Sequence, residues 1–441
     1  MSSVSPAPGA HRPEAGAAAA GRLFDGMGPG TGPTTSPQGL AAALEALARA
    51  GFSGVQLSAG GWDTVMNGRV VAARLAPYRS VAADHALRYT LHAPIAELNL
   101  VAPDHEFQVQ QFRAWLEVAA ATGCRTMTYH PGRFDPARQP GADAAAEVAR
   151  ERDALAALAE LGATLGVTIA CENLVTQQWW PAGQRQHSCD PQWLLDLVAA
   201  IDHPNLAVCL DMGHLMLASV VEGYDYLAAA RRLVPHAVVL HVHDNFAKPT
   251  RSPIETAGVG PAMQLIRGEG DLHLPPGWGV IPLEATFAAG GFARRPIFVL
   301  EVEPRHWRED PAVLAGCLAT GNHLAELAAA GGRPEAGTGH REEQGRCGAA
   351  RARPAGGAPA RGRVFRGPGR SHRTRRTRRT RSCCSAAVAT ATRPRASWTR
   401  CWRRCARPAA TRRLRGRSPI PAGRPFRRCC AVWRTAGRGE S

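Results

Sequence analysis

The chain has 441 residues, enough for one large domain or two of ordinary size, each able to bury a substantial core. Its net charge of +17 is unevenly distributed, because residues 1–332 carry 23 Lys and Arg against 32 Asp and Glu, whereas residues 333–441 carry 30 Arg against 4 Glu. The first 332 residues are therefore acidic, which argues against nucleic acid as their partner.

The first 20 residues are mostly Ala, Pro, Gly and Ser without hydrophobic periodicity, which predicts a disordered leader over residues 1–20. They lack the charged and apolar regions of a secretory signal, and no stretch of the chain approaches the roughly 18 apolar residues of a membrane span. Cys124, Cys171 and Cys209 lie in apolar runs, and the cysteine spacing indicates no disulfide framework. We therefore expect a cytoplasmic protein with no membrane partner.

From about Gly21, short apolar runs alternate with stretches of helical periodicity. A first strand is predicted near residues 22–25, and seven clearer strands are predicted at residues 52–57, 88–92, 125–130, 167–172, 206–211, 237–242 and 297–301. Helices are predicted at residues 37–50, 106–122, 144–165, 191–201 and 311–330. Such alternation implies parallel strands joined by right-handed crossovers. We therefore predict an α/β fold, a (β/α)8 TIM barrel over residues 21–332.

Two segments depart from this pattern. The connection after the predicted strand at residues 237–242 covers residues 243–289. It is too long for an ordinary loop and predicts a lid or a binding segment. Residues 333–441 contain no Lys, Asp, Asn, Tyr or Met and a single leucine, so they cannot supply a packed core. Two interpretations stay open for this low-complexity tail: a disordered basic extension, which would bind nucleic-acid phosphates by charge alone, or a segment read out of its proper frame.

Residues that can bind a metal stand at or just beyond the ends of most predicted strands. They are His92, His130, Glu172, Asp211, His214, His241, Asp271, His273 and Glu301. Each alone is more simply a polar strand end, a cap or a turn residue, but nine at one topological level favour a common site, since the carboxyl ends of barrel strands converge on one face. Imidazole and carboxylate suit Zn, Mn, Fe or Mg, and no cysteine stands at a comparable position, so we expect a catalytic site and not a zinc-thiolate site.

Several other residues have weaker interpretations. His243 and Asp244 are interpreted as groups that orient metal ligands. Pocket-lining roles are considered for Gln56, Trp62, Asn99, Asn173 and Trp278, each of which is equally well explained as a core or turn residue. No role is assigned to His85, His105, His187, His203, His236 or His306.

Seven segments, in order along residues 21–330, carry a family resemblance. They are LHAP, YHPG, CENL, LDMGH, HVHDN, GDLHLPPGWG and LEVE. Together they resemble the superfamily of xylose isomerase-like sugar isomerases and epimerases, to which apurinic endonuclease IV is related. The epimerase resemblance implies a metal quartet of Glu172, Asp211, His241 and Glu301 with His214 binding substrate. The endonuclease resemblance matches all nine residues and implies up to three zinc ions.

The first hypothesis from this resemblance is a sugar or sugar-phosphate isomerase or epimerase of carbohydrate metabolism. One divalent metal (Mn, Zn, Mg or Co) would act on the substrate carbonyl, with Glu172 and Glu301 as catalytic proton acceptor and donor. His214, Lys248 and Trp278 are the expected substrate contacts. Against it, Lys248 stands where the epimerases have an arginine, and the remaining ligands would be idle.

The alternative is a phosphodiesterase or related hydrolase with several zinc ions, resembling endonuclease IV. The number of ligands favours it. The acidic barrel, in which Lys248 is the one lysine, argues against DNA as the substrate and leaves a small phosphate ester. We take the isomerase or epimerase as the leading hypothesis, with a small sugar or phosphate ester as the partner and a homo-oligomer left open.

Overall fold

A computed structural model gives the fold of residues 13–95, 98–137, 140–175, 184–250, 260–308 and 310–331. Its centre is one sheet of eight parallel strands: β1 (Met27–Pro29), β2 (Gly54–Ser58), β3 (Arg88–His92), β4 (Cys124–Tyr129), β5 (Thr168–Glu172), β6 (Leu206–Asp211), β7 (Ala237–Val242) and β8 (Ile297–Leu300). The strands pair in the order β1-β8-β7-β6-β5-β4-β3-β2. A parallel bridge between Gly30 and Gln56 joins the two ends of this order, so the sheet is a nearly closed barrel.

Helices surround the barrel, as the predicted (β/α)8 architecture requires. They are α1 (Pro13–Leu23), α2 (Pro37–Arg49), α3 (Ala72–Ala83), α4 (His105–Ala121), α5 (Ala144–Leu165), α6 (Pro191–Ile201), α7 (Met212–Glu222), α8 (Tyr226–Leu233), α9 (Gly260–Arg267), α10 (Leu283–Ala288) and α11 (Pro311–Gly331). None of these described helices combines the length and the apolar character needed to cross a bilayer. The TIM barrel prediction is confirmed.

Local capping explains why some helix boundaries were predictable. The Asp143 carboxylate accepts a hydrogen bond from the Ala145 amide at the start of α5, and Gly166 takes a left-handed conformation at its end. Asp190 caps α6 in the same way, and Pro191 fills its first turn. Both helices have the predicted bounds, because the cap residues mark them in the sequence.

The N-terminal part differs from the prediction in two ways. Residues 13–20, assigned to a disordered leader, belong to helix α1, which packs against α11; residues 1–12 lie outside the described part. The first strand is not at residues 22–25 but at Met27–Pro29, since the helix continues to Leu23. Phe24 is buried and contacts the rings of Phe292 and Phe298 edge-on, so it anchors the turn between helix and strand. Tertiary packing, and not local propensity, decides both points.

The strands are apolar on both faces because helices cover the outside and side chains fill the inside. Leu57, Leu91, Met127 and Leu210 are fully buried in this way. Polar side chains are buried mainly where the strands end, at the carboxyl edge of the barrel, as Glu172 is at the last position of β5. That concentration of buried polar groups marks the functional face.

The connection from residue 243 to residue 289 has internal structure on both sides of residues 251–259, which lie outside the described part. It contains α9 and α10, and an antiparallel bridge between Asp244 and Leu274 folds it back on itself. The Asp244 carboxylate also accepts hydrogen bonds from the amides of Gly277, Gly279 and Ile281 at 3.0, 2.9 and 3.1 Å. The described parts of this connection are therefore fixed on the carboxyl edge of the barrel.

Two short elements outside the barrel were not predicted from the sequence. Two small antiparallel ribbons pair Val65–Met66 with Arg69–Val70 and Arg133–Phe134 with Arg185–Gln186. The basic tail, residues 333–441, lies outside the described residues.

Candidate metal centre

Strand register brings the site residues to one level. Asp211 at the end of β6 lies beside His241 of β7, and Cys209 of β6 lies beside Glu172 of β5. Glu301 follows the last residue of β8, and its amide donates to the carbonyl of Val242. The carboxyl ends of four neighbouring strands therefore present their side chains to a common volume.

Three carboxylates surround one nitrogen of His241. Its Nδ1 atom lies 3.3 Å from Glu172 Oε1, 3.6 Å from Asp211 Oδ2 and 3.0 Å from Glu301 Oε2. His241, Glu172 and Asp211 are each inaccessible to solvent. The four residues matched to the epimerase quartet therefore converge on one point.

Gln56 organises this group from β2. Its Oε1 atom lies 2.8 Å from His241 Nε2, and its Nε2 atom donates to Glu301 Oε1 at 3.0 Å. Since the amide oxygen is only an acceptor, His241 Nε2 carries the hydrogen of that contact. Nδ1 faces the three carboxylates; burial would lower the pKa of His241, but the acidic groups around it raise that pKa well above its usual value. A divalent cation bound among these residues would take the place of the positive charge that the imidazolium carries there.

A second group forms on the other side of Glu172. Its Oε2 atom lies 2.9 Å from His130 Nε2 and 3.6 Å from His92 Nε2. At 2.9 Å the first pair is close, yet among the described residues neither atom forms a hydrogen bond of acceptable geometry. Glu172 thus divides its two oxygens between two sets of imidazoles.

A third group is centred on Asp271, in the long connection. Asp271 Oδ2 lies 3.0 Å from His214 Nε2 and 2.7 Å from His273 Nε2. His273 has a φ of 46°, a left-handed conformation that a non-glycine residue adopts at a cost. The predicted residues from the DLH sequence therefore do reach the site formed by the strands.

The charges in the site stabilise each other strongly. Burial would raise the pKa of Glu172, but the imidazoles of His130 and His241 lower it well below its usual value. Burial would likewise lower the pKa of His214, whereas Asp211 and Asp271 raise it well above its usual value. The carboxylates are thus ionised at neutral pH, the state in which they bind cations.

The donor set fits divalent cations. His92, His130 and Glu172 offer ligand atoms within 4.8 Å of one another, and so do His214, Asp271 and His273. Imidazole nitrogen and carboxylate oxygen suit Zn, Mn and related ions. Glu172 Oε2 and Asp271 Oδ1, both buried, have no hydrogen-bond partner among the described residues, as expected of atoms that would face an ion.

Two further residues adjoin the site, Cys209, which was not predicted there, and His243, which was predicted to orient ligands. Cys209 offers its sulfur within 4.8 Å of ligand atoms of Glu172 and His241, although it does not stand at a strand end. Burial raises the pKa of its thiol to about 12, so Cys209 is a neutral neighbour. His243 is buried against Asp211 and Asp271. Its position two residues after His241 placed it on the same face of β7, a signal present in the sequence.

The weaker pocket candidates have different positions. Asn173 braces the ligand strand, since its side chain exchanges two 2.8 Å hydrogen bonds with the backbone of Asp211. Trp62 belongs to the core, stacked on Tyr78 at 4.3 Å. Asn99 joins two loops: its side-chain nitrogen donates to the Arg133 carbonyl, and its side-chain oxygen accepts from the Val101 amide.

Of the three predicted substrate contacts, His214 is buried in the site, whereas Trp278 and Lys248 are exposed. Trp278 is 53% exposed, and its ring centroid is 6.1 Å from that of His306. Lys248 is exposed, and its carbonyl accepts a hydrogen bond from the Gly270 amide. The structure gives Lys248 no contact with the nine candidate ligands.

A family model described as xylose isomerase-like TIM barrel matches residues 44–317. The chain belongs to this family. No curated protein gives a significant sequence match.

Solved structures with the same barrel include several sugar epimerases. A D-tagatose 3-epimerase-like protein is 17% identical, with a TM-score of 0.48 over 68% of this chain and 98% of that one. The apo 3-keto-D-glucoside 4-epimerase from E. coli is 15% identical, with a TM-score of 0.48 over 69% and 99%. A xylose isomerase domain protein from Planctomyces limnophilus is 16% identical, with a TM-score of 0.44 over 67% and 96%. At such identities the likeness concerns the fold and not the substrate.

Proposed function

We propose that this protein is a metal-dependent isomerase or epimerase of a sugar or sugar phosphate. The observation that carries the proposal is the convergence of Glu172, Asp211 and Glu301 on the Nδ1 atom of His241. These four residues would hold a divalent cation, which when bound supplies Lewis-acid polarisation of a substrate carbonyl.

The two glutamates are suited to proton transfer at a carbon next to that carbonyl. Glu172 Oε1 and Glu301 Oε2 lie 3.3 and 3.0 Å from the same nitrogen, so a substrate bound there meets both carboxylates. Burial would raise the pKa of Glu301, and His241 lowers it, so Glu301 is ionised and can accept a proton. Gln56 fixes the orientation of Glu301 through Oε1, and Oε2 is the oxygen that faces His241 Nδ1 and the substrate volume.

The surroundings favour a small neutral or singly phosphorylated substrate. Residues 1–332 are acidic, which disfavours a polyanion. Trp278 offers an exposed aromatic face at the edge of the site, a surface on which a sugar ring can stack.

The test uses deuterium exchange, because isomerisation or epimerisation by the proposed proton transfer removes a carbon-bound proton. The protein is stripped with a chelator, reloaded with Mn, Zn, Mg or Co, and incubated in D2O with a panel of ketoses, aldoses and their phosphates. We expect NMR to show deuterium at the carbon beside the carbonyl for at least one substrate. E172Q and E301Q should lose this exchange, whereas E303Q, a change in an exposed neighbour of Glu301, should keep it. Exchange that persists in E301Q would contradict the proposed role.

A second candidate is a hydrolase that uses several metal ions. The observation that favours it is the position of Glu172 Oε2 between His92 and His130, away from the quartet. The His92, His130 and Glu172 group and the Asp271 group each offer a further ion position, and an epimerase that uses one metal ion would not need either. Hydrolysis of bis(p-nitrophenyl) phosphate without deuterium incorporation into any sugar would favour this candidate over the first.

A further inference from the structure

His243 has an environment unlike that of an ordinary core histidine. It is inaccessible to solvent at the end of β7, and its Nε2 atom lies 3.2 Å from both carboxylate oxygens of Asp211. Its Nδ1 atom lies 3.7 Å from Asp271 Oδ1. Among the described residues, neither Nδ1 nor Asp271 Oδ1 has a hydrogen-bond partner.

The tautomer follows from these contacts. Because both oxygens of Asp211 face Nε2, that nitrogen carries a hydrogen. Nδ1 and Asp271 Oδ1 face each other across 3.7 Å, which is too long for a hydrogen bond. Two ligand atoms that each lie about 2.0 to 2.2 Å from one cation would be separated by such a distance.

Two residues of the surrounding loops, His273 and Gly213, lie directly against the His243 ring. His243 and His273 have ring centroids 4.3 Å apart, so the two imidazoles stand side by side near Asp271. At Gly213, in the LDMGH segment, a Cβ atom would lie 1.9 Å from His243 Cε1. Only glycine leaves room for the ring at this position.

We propose that His243 is a metal ligand: its Nδ1 atom, Asp271 and His273 hold a second cation, in addition to the one at the quartet. Asp211 is then the carboxylate that accepts a hydrogen bond from the other ring nitrogen of His243, an arrangement that is common for metal-binding histidines. This inference rests on the proposed function only in requiring that the site binds divalent cations. A substrate oxygen beside the quartet would meet a second positive charge from this ion.

The experiment must separate a ligand from a residue that merely orients Asp211. In H243Q, the amide nitrogen can occupy the place of Nε2 and donate to Asp211, but nothing replaces Nδ1. The full-length protein is stripped, titrated with Co2+, and followed by its visible absorption and by elemental analysis. We expect wild type to bind at least one ion more than H243Q, or to bind its weakest ion more than about 100-fold more tightly than H243Q does. Losing a residue that only orients a ligand lowers metal affinity by about 10- to 100-fold, so a larger loss indicates a lost ligand.

Two controls keep the result interpretable. H241Q removes a quartet ligand and should affect a different ion from H243Q, with a different change in the Co2+ spectrum. G213A should reproduce the H243Q loss while keeping the imidazole, because its Cβ displaces the ring. Circular dichroism melting verifies that each variant is folded.

The outcomes distinguish this inference from the proposed function. If H243Q binds the same number of ions with unchanged affinities, His243 only orients Asp211 and the inference is wrong. If wild type binds no Co2+, Mn or Zn at all, both the inference and the proposed function are wrong.

Discussion

Glu151 on helix α5 provides a sharp test of the electrostatics beneath the site. Its side chain is 1% exposed, and its Oε1 atom accepts hydrogen bonds from the Tyr129 hydroxyl and the Gly132 amide at 2.7 and 2.5 Å. These two residues flank the loop of His130. Burial raises the pKa of Glu151 from 4.5 to about 7, although both hydrogen bonds oppose the shift.

The size of the effect follows from linkage. A carboxyl whose pKa is raised on folding contributes stability that is fully present below its unfolded pKa and is lost as the pH rises through the folded value. Since each pKa unit corresponds to about 1.4 kcal/mol, a rise from 4.5 to about 7 amounts to roughly 3 kcal/mol. Most of this loss falls between pH 5 and pH 8. E151Q is neutral at every pH, and its amide oxygen can still accept both hydrogen bonds.

The assay is urea unfolding of wild type and E151Q at pH 5, 6, 7 and 8, with chelator present to remove metal effects. We expect the free energy of unfolding of E151Q, relative to wild type, to increase by about 2 to 3 kcal/mol from pH 5 to pH 8. D153N, a change in an exposed residue of the same helix whose partner Arg152 stays charged from pH 5 to pH 8, is the matched control and should give a nearly constant difference. A pH-independent difference for E151Q would refute the reasoning.

Three further predictions concern other parts of the chain. D244N should lower the free energy of unfolding by about 3 kcal/mol, because an amide NH2 would face the backbone amides that donate to the carboxylate in wild type. Denaturant titration measures this loss, and we expect faster proteolysis within residues 243–289 to accompany it. W278A should raise the KM for the substrate identified by deuterium exchange about 10-fold with little change in kcat, since an exposed aromatic at the rim contributes to binding and not to proton transfer; equal losses in kcat and kcat/KM would contradict this. Truncation after residue 332 should leave metal content and unfolding free energy unchanged, and elemental analysis with denaturant titration would reveal any loss.

The barrel was predictable because most of its elements carry their own signals. The α5 and α6 segments are bounded by residues that cap helices, and the apolar runs end abruptly in polar residues. The exceptions are short or depend on distant partners. β1 is only Met27–Pro29, with no β-branched residue, and α1 is rich in Ala and Gly and gains its order from α11.

The membership of the site was easier to predict than its geometry. Strand ends named Glu172, Asp211 and His241 directly, because a parallel barrel aligns its carboxyl edges. The division of the Glu172 oxygens between two imidazole sets depends on side-chain rotamers, which the sequence does not specify. The position of Cys209 could not be predicted for the same reason. It lies two residues before Asp211, so its side chain points to the same face of the strand but lies deeper in the barrel.

The contact between α1 and α11 has a consequence for rearranging the chain. Gly16 lies so close to α11 that an added Cβ would come within 2.7 Å of Asn322 Cβ. The beginning of the first helix thus lies against the middle of the last, whose end is about 14 Å further along its axis at 1.5 Å per residue, so a linker that spans this distance could connect the two while the polypeptide is opened elsewhere. A circular permutant opened at a loop on the amino side of the barrel would keep every strand neighbour, and with it the carboxyl edge on which the candidate ligands meet.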